Sequence, residues 1–327
     1  MQKKFMTFAL LTLSSGVFAA QFPSGGSQLQ QIPPSPSLQK AEPEIRVEQS
    51  QVPVTPAVDS AKIQVNSLHL TGQSLYSESE LLGLTGFTAG EELSLGQLQQ
   101  MAARIAAFYH ENGYFVAQAY LPAQEIQQGA VTIAVVEGRY GDISLRNQSN
   151  LSERQANSAL DGLNSGEVID SAPLESRLLL LSDTPGVNVR STLVPGASVG
   201  AADLIVDVTP GQRVTGSIDA DNAGNYYTGE YRLGATLNIN NLAGQGDVAT
   251  LRALSTFDGL NYGRAAYQMQ FGKATAGVAY SRMEYELGKG FSDLDANGTA
   301  DIFSVFGSYP LLRSRRSNLY AQLGYDY

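Results

Sequence analysis

Tyr109-His110-Glu111-Asn112-Gly113-Tyr114 closes a run of apolar residues at helical spacing, and Leu121-Pro122-Ala123-Gln124 and Val136-Glu137-Gly138 punctuate the chain downstream of it. On its N-terminal side, Leu95, Leu98, Met101, Ala102, Ile105, Phe108 and Tyr109 fall on one face of a helix, and Ser94 with Gln97 forms a capping box at its start. Asn112-Gly113 stops that helix, since glycine readily takes the left-handed conformation of a helix terminus. Residues 114–120 and 130–136 then read as strands around a turn at Gln127-Gln128-Gly129, with Pro122 and Gly138 ending them. Ile63, Val65, Leu68 and Leu70 give an opening strand, and 77–82 a short capped helix. The order over 61–138 is β-α-α-β-β, an α+β unit.

This stretch resembles the first POTRA domain of the outer-membrane transporters of two-partner secretion, the haemolysin-activator and filamentous-haemagglutinin-transporter family. The positions that carry the resemblance are Tyr109, Gly113, Tyr114, Leu121, Pro122, Gln124, Gly129, Glu137 and Gly138. A second, weaker copy reads over 139–211. It has a strand at 141–145, a helix from Ser152, a helix with Pro173 in its first turn followed by Leu174, Leu178, Leu179 and Leu181, and strands at 187–193 and 203–208. Pro185-Gly186 in this copy resembles the family's second POTRA domain.

From Arg213 the hydrophobic period changes to two, over 212–327 as a whole. Val214, Gly216, Ile218 and Ala220 alternate with Thr215, Ser217, Asp219 and Asp221, and Tyr231 to Ile239 repeat the pattern. Similar strands read at 248–256, 264–271, 276–287, 302–309 and 318–327; most approach the ~9–11 residues that cross a bilayer tilted. The polar face carries Arg232, Arg252, Gln268 and Gln270 at mid-strand, tolerable in a wet lumen and costly in a dry sandwich. The apolar parity slips between Tyr280 and Met283, which predicts a bulge or the strand leaving the membrane. Asn222, Gly224, Asn241, Gly244, Gly246 and Asp247 resemble the family at the turns. The resemblance implies an antiparallel transmembrane β-barrel of pore size, of about 16 strands. About seven strands are legible and no Arg-Gly-Tyr motif of the family's late loop occurs, so the chain reads as the front part of one, C-terminally truncated.

Lys3 and Lys4 precede the apolar run 5–13, and Val17 and Ala19 fit a small-x-small cleavage site, so 1–20 read as a signal peptide. Residues 21–60 hold seven prolines among Gln and Ser and read as an extended linker with short local structure at most. A barrel-plugging helix, which the resemblance implies near here, is stopped at 28–32 by Pro33-Pro34. The absence of cysteine rules out disulfides and thiolate metal sites. A net charge of −10 argues against nucleic acid, and the glycines form no nucleotide fingerprint. Two isolated histidines, His69 and His110, make no metal site, so neither enzyme chemistry nor a cofactor is expected.

The resemblance implies an outer-membrane pore that recognises a secreted, extended, β-rich partner polypeptide in the periplasm, with membrane lipid as its other partner. Recognition by β-augmentation requires an exposed strand edge. In this topology the middle strand in sequence is an edge strand, which nominates Tyr114, Val116, Gln118 and Tyr120 in the first copy and Val187, Val189 and Ser191 in the second. An outer-membrane protein-insertion factor of the same superfamily, and a periplasmic POTRA interaction module, remain as alternatives.

Overall fold

The computed structural model describes Ile32, Pro43, residues 45–48, 62–290 and 295–327. The signal peptide expected at 1–20, the helix considered at 28–32 apart from Ile32, and most of the proline-rich tract lie outside these residues. Within that tract the structure shows one short strand, β1 (Ile45–Val47).

The first unit comprises β2 (Lys62–Val65), β3 (Ser67–Thr71), α1 (Glu78–Thr85), β4 (Glu91–Ser94), α2 (Leu95–Glu111), β5 (Gln118–Tyr120) and β6 (Ala130–Val136). The capping box at α2 is present, with both the Ser94 and Gln97 side chains bonded to backbone N–H groups. The opening strand is divided in two at Asn66, where the Gly129 carbonyl accepts from both Asn66 and Ser67. β2 pairs with β4, a strand the periodicity did not suggest, while β3 joins a sheet of order β3-β6-β5. The strand expected over 114–120 shrinks to β5. Tyr114 N–H donates to the Tyr109 carbonyl (2.9 Å) and Ala117 N–H to the Tyr114 carbonyl (3.0 Å), so 114–117 is a turn continuing the helix end. Leu81, Leu98, Ile105 and Tyr109 pack on Val131 and Ile133, all fully buried. Each such side chain contributes about 1.5–3 kcal/mol through the water it sheds.

The second unit repeats the plan with β7 (Arg139–Asn147), α3 (Glu153–Ala159), α4 (Ser171–Asp183), β8 (Val187–Pro195) and β9 (Ala201–Pro210). In both units the first strand runs parallel to the last, and the middle strand pairs antiparallel with the last on its other side. Ser152 and Asp170 cap the two helices, whose Ala156, Leu174, Leu178 and Leu181 face Leu204, Val206 and Val208. Phe115 and Val116, from the turn after α2, pack against this second core.

Beyond it β10 (Val214–Asp221), β11 (Arg232–Asn240), β12 (Val248–Ser255), β13 (Leu260–Phe271), β14 (Ala274–Glu286), β15 (Asn297–Arg313) and β16 (Asn318–Asp326) form a seven-stranded antiparallel meander, with β10 and β16 at its ends. The register places Ile218, Ala235, Ala253 and Leu237, Leu251, Ala265, Tyr280, Phe303 on the outward face, with Arg232, Thr236, Arg252 and Arg264 on the inward one. Ile218 is 80 % exposed and Leu251 53 %, whereas Arg252 is 4 % exposed. An apolar outer band around a polar interior suits hydrocarbon outside and water inside. The alternative of a bulge between Tyr280 and Met283 is not realised, since β14 keeps an unbroken register with both neighbours. The parity slip instead marks where Arg282, Glu284 and Asp301 take over the outward face, as in a strand leaving the bilayer. The one register shift in this sheet lies at Pro310 to Leu312. Among the described residues no helix is long and apolar enough to cross a membrane.

Candidate partner-docking edges

Among the described residues β5 has a strand neighbour on one side only, which leaves its other backbone edge open there. Gln118 and Tyr120 are exposed and Ala119 packs on the core, the alternation of a strand lying on a helix layer. The end of this edge is built by a side chain. Gln124 accepts a hydrogen bond from Thr132 N–H (2.8 Å) and donates one to the Thr132 carbonyl (2.7 Å), filling the ladder position on β6 that the chain vacates at Pro122.

Behind the edge sits Glu137, 4 % exposed. Its Oε1 accepts from Ser74 N–H (2.6 Å), Leu75 N–H (2.8 Å) and the Tyr109 hydroxyl (3.0 Å). Its Oε2 accepts from the Ser74 hydroxyl and from Arg139 (3.3 Å), which also donates to Ser74 and to the Gly166 carbonyl. Burial pushes this carboxyl up, but the Ser74, Leu75 and Tyr109 hydrogen bonds outweigh it and hold it below the ordinary glutamate value. Burial, followed by the bond to Glu137, pushes the Tyr109 hydroxyl up. Tyr109 also meets Tyr76 edge-on at 5.2 Å and Tyr114 at 6.0 Å. The motif positions around 109–114 and 137 therefore tie the helix end, the 73–75 loop and the start of the second unit to one carboxylate. Gly138 comes next with φ +74, where a Cβ would lie 3.0 Å from the Val116 side chain.

Two sequence-based nominations are corrected. Tyr114 and Val116 are not strand residues; Tyr114 joins the tyrosine cluster and Val116 seals the junction with the second unit. Val187, Val189 and Ser191 are 0 %, 6 % and 1 % exposed, because the period of two turns them into the helix-facing core. Asn188, Arg190 and Thr192 occupy the opposite face. Nor is β8 an edge: β1 lies alongside it in parallel, Ile45 to Ser191, Arg46 to Thr192 and Val47 to Leu193. The only sequence signal for β1 is the brief alternation Ile45-Arg46-Val47, too short to distinguish from linker.

The second unit is clamped to the inner turns of the meander. Asn241 and Asp247 organise the 240–247 turn: fully buried Asp247 accepts from Ala243 N–H (3.0 Å) and Gln245 N–H (3.2 Å), and Asn241 accepts from Gly246 N–H (3.1 Å). Ser152 N–H donates to the Gly244 carbonyl (2.8 Å), and a Cβ on Gly244 would come 2.6 Å from the Asn150 carbonyl. Gly186, after Pro185, abuts Asn240 and Asn241. Gln155 donates to the Gly272 carbonyl, Arg313 to Asp183 (2.6 and 2.9 Å), and Arg315 N–H to Glu175 (2.7 Å). At the other end Gly224 N–H donates to the Glu230 carbonyl in the first hairpin, next to exposed Asn222. Ile32 packs near that end, against Leu254, Leu260 and Met283. Arg313 and Arg315 were not singled out from sequence. Among the described residues no cluster of His, Asp or Glu could hold a metal.

Residues 63–138 match the model of the POTRA domain, ShlB-type, and residues 200–327 match that of the haemolysin secretion/activation protein ShlB/FhaC/HecB. The chain is a homologue of the ShlB/FhaC/HecB proteins. The heme/hemopexin transporter protein HuxB of Haemophilus influenzae is 34 % identical over 268 residues, 81 % of this chain and 47 % of that protein. The outer membrane transporter CdiB of Dickeya dadantii is 27 % identical over 223 residues, 64 % of this chain and 39 % of that protein. The chain thus spans about half the length of the curated HuxB relatives it matches. Among solved structures, CdiB from Escherichia coli superposes with a TM-score of 0.61 at 22 % identity, covering 85 % of this chain and 54 % of that one, a likeness of fold. The ShlB/FhaC/HecB match begins at Gly200, one residue before β9, so it spans the last strand of the second unit and the whole meander.

Proposed function

We propose that the chain is the front part of an outer-membrane pore that exports a secreted partner polypeptide by two-partner secretion, without enzymatic chemistry, cofactor, nucleotide or nucleic acid. On this reading 1–20 are a signal peptide, 21–60 a linker, 61–138 and 139–211 the two POTRA domains in the periplasm, and 212–327 the first barrel strands, seated in lipid. The observation that carries it is the junction: the second of two β-α-α-β-β units is hydrogen-bonded through Ser152, Gln155 and Asp183 to the turns of a sheet whose outward face is apolar and inward face polar. That arrangement sets recognition edges on the periplasmic side of a water-lined wall. A soluble interaction module would not expose Ile218, Leu251 and Phe303 in one band.

The open edge of β5 is the docking line, with Gln118 and Tyr120 as the side chains an added strand meets and Gln124 setting its length. Backbone pairing supplies affinity, and the two side chains bias the choice of partner. The test is secretion of the partner by the complete protein in cells. Tyr120→Ala, at a side chain 45 % exposed, leaves the amount and folding of the transporter unchanged and lowers export severalfold. Undiminished export from Tyr120→Ala and from Gln118→Lys together would remove β5 from the docking line.

A further inference from the structure

Where α4 meets the meander, its charges are unevenly matched. Its two carboxylates nearest the turn between β15 and β16 are taken, Asp183 by Arg313 and Glu175 by Arg315. Arg177, on the same helix, has no ion-pair partner among the described residues, and its Nη1 is out of water with no acceptor, while the side chain as a whole stays partly exposed. Gly162, just after α3, lies so close to this guanidinium that a Cβ there would be 2.8 Å from Nη2. Lys273 comes to the same corner on the two-residue turn between β13 and β14, which Gln155 of α3 holds through the Gly272 carbonyl (3.1 Å). Burial, and then the charge of Arg177, hold the Lys273 ammonium below the ordinary lysine value, with Asp161 pulling the other way. Two cations and one carboxylate leave the corner net positive, and two like charges that burial keeps from full hydration attract an anion.

The height of the corner says which anion. Phe271, exposed at the end of β13, keeps the outward parity of Ala265 and Tyr267, so Lys273 lies two residues past the last lipid-facing ring of that strand. Aromatic side chains at the end of an apolar band mark the level of the lipid headgroups. We infer that Arg177 and Lys273 form a binding site for the phosphate of an anionic glycerophospholipid, whose acyl chains run up the outward face beside Phe271. Assigning that lipid to the periplasmic leaflet rests on the export reading above, which puts this end of the sheet in the periplasm. The phosphate oxygens accept from both cations at once, removing the repulsion between them. The bound lipid then joins the second unit to the wall at the β13–β14 turn, as the Asp183–Arg313 and Glu175–Arg315 pairs do at the β15–β16 turn. A free anion would meet the same two cations without the apolar contact, so the lipid is the tighter ligand.

The experiment uses the complete transporter in detergent, with dioleoyl phosphatidylglycerol as the probe and native mass spectrometry to count retained lipid. Lys273→Gln and Arg177→Gln are each expected to weaken retention of one lipid by about fivefold, the effect of removing one basic charge at a membrane surface. Lys273→Arg keeps the charge and should bind as the native protein does. Arg190→Gln removes a charge from the exposed face of β8 and should change nothing. Dioleoyl phosphatidylcholine, with the same chains and no net charge, should not distinguish native protein from the variants, and inorganic phosphate in large excess should not displace the anionic lipid. Heat-modifiable gel mobility checks that each barrel is folded; should Arg177→Gln fail there, Lys273→Gln, on an exposed turn, decides alone. Equal retention of phosphatidylglycerol by native and Lys273→Gln protein would overturn the proposal. An equal loss in Arg190→Gln would overturn it in favour of general attraction to net charge, and displacement by inorganic phosphate in favour of a site for a soluble anion. The measurement needs no export: discrimination between the lipids by a complete protein that exports no partner would support the site and refute the export reading.

Discussion

Replacing Glu137 by glutamine tests whether one carboxylate holds the first unit together and ties it to the second. The substitution keeps the size and the Oε1 acceptor, so the bonds from Ser74 N–H, Leu75 N–H and the Tyr109 hydroxyl keep their geometry and lose the charge that strengthens them. At the other oxygen an NH2 group faces Arg139 and the Ser74 hydroxyl. The hydroxyl can turn round to accept, but the guanidinium cannot. Hydrogen bonds to a charged acceptor contribute about 1.5–3 kcal/mol each, and the loss here corresponds to between one and two of them, about 2–4 kcal/mol. The Arg139 contact is long and Arg139 itself is 46 % exposed, which keeps the figure from rising further. Residues 43–210 as a soluble polypeptide suffice for the measurement, because both cores lie within them. At this size each kcal/mol moves Tm by roughly 2–4 °C, so a fall of about 5–15 °C is expected at pH 7. The carboxyl is held below its ordinary value in the folded state, so its contribution is full above the unfolded-state pKa and is lost as pH falls through the folded one. The gap between wild type and Glu137→Gln therefore narrows below pH ~4.3. A variant within about 0.5 kcal/mol of wild type at neutral pH, the range of ordinary surface changes, would refute the reasoning.

Leu178→Ala, at a fully buried position of α4, should cost the second unit about 2–5 kcal/mol in urea unfolding, with the first unit keeping its own transition. Gln124→Ala leaves the Thr132 N–H and carbonyl without the partners it supplies, so amide exchange at Thr132 should quicken and stability fall by about 1–3 kcal/mol. Arg252→Met removes the inward bonds to Asp219 and Thr236; the complete barrel should then lose its compact, heat-modifiable gel mobility at a lower temperature than wild type, while Arg264→Met should not alter it.

What was legible in the sequence is what repeats with a period. The stripe from Leu98 to Tyr109 gave α2 almost to its limits, and the alternation after Arg213 gave seven strands and the right facing for Arg232 and Arg252. The Ser152 cap and the first-turn Pro173 placed both helices of the second unit. What escaped was set by single contacts. The 114–117 turn looks like strand because Tyr, Phe and Val favour strands, yet two local hydrogen bonds, one to the Tyr109 carbonyl at the helix end and one to the Tyr114 carbonyl within the turn, keep it from pairing. The division of the opening strand at Asn66 depends on the Gly129 carbonyl, some 60 residues away, which no local pattern encodes. Motif positions such as Glu137 and Gln124 were recognisable by resemblance, but their work, gathering five donors in one case and replacing a strand's backbone in the other, is visible only in three dimensions. The inference from edge to contact residues failed for β8 on parity alone: Val187, Val189 and Ser191 are the apolar half of the strand and belong to the core.

The same parity explains why two units of one topology present their edges differently. In the first, β5 is three residues long, stopped by Pro122 and by the Gln124 amide, so little unpaired backbone is exposed and nothing need cover it. β8 is nine residues long and pairs along its whole length with β9. Left bare, its far side would offer a long, straight row of N–H and C=O groups, the kind of edge that recruits any extended chain. β1 covers its middle, opposite Ser191, Thr192 and Leu193, and the turn carrying Arg315 lies close enough to hold Pro43. Sequence makes the difference at both places, through a proline and a glutamine that end one edge and an Ile-Arg-Val segment that occupies the other.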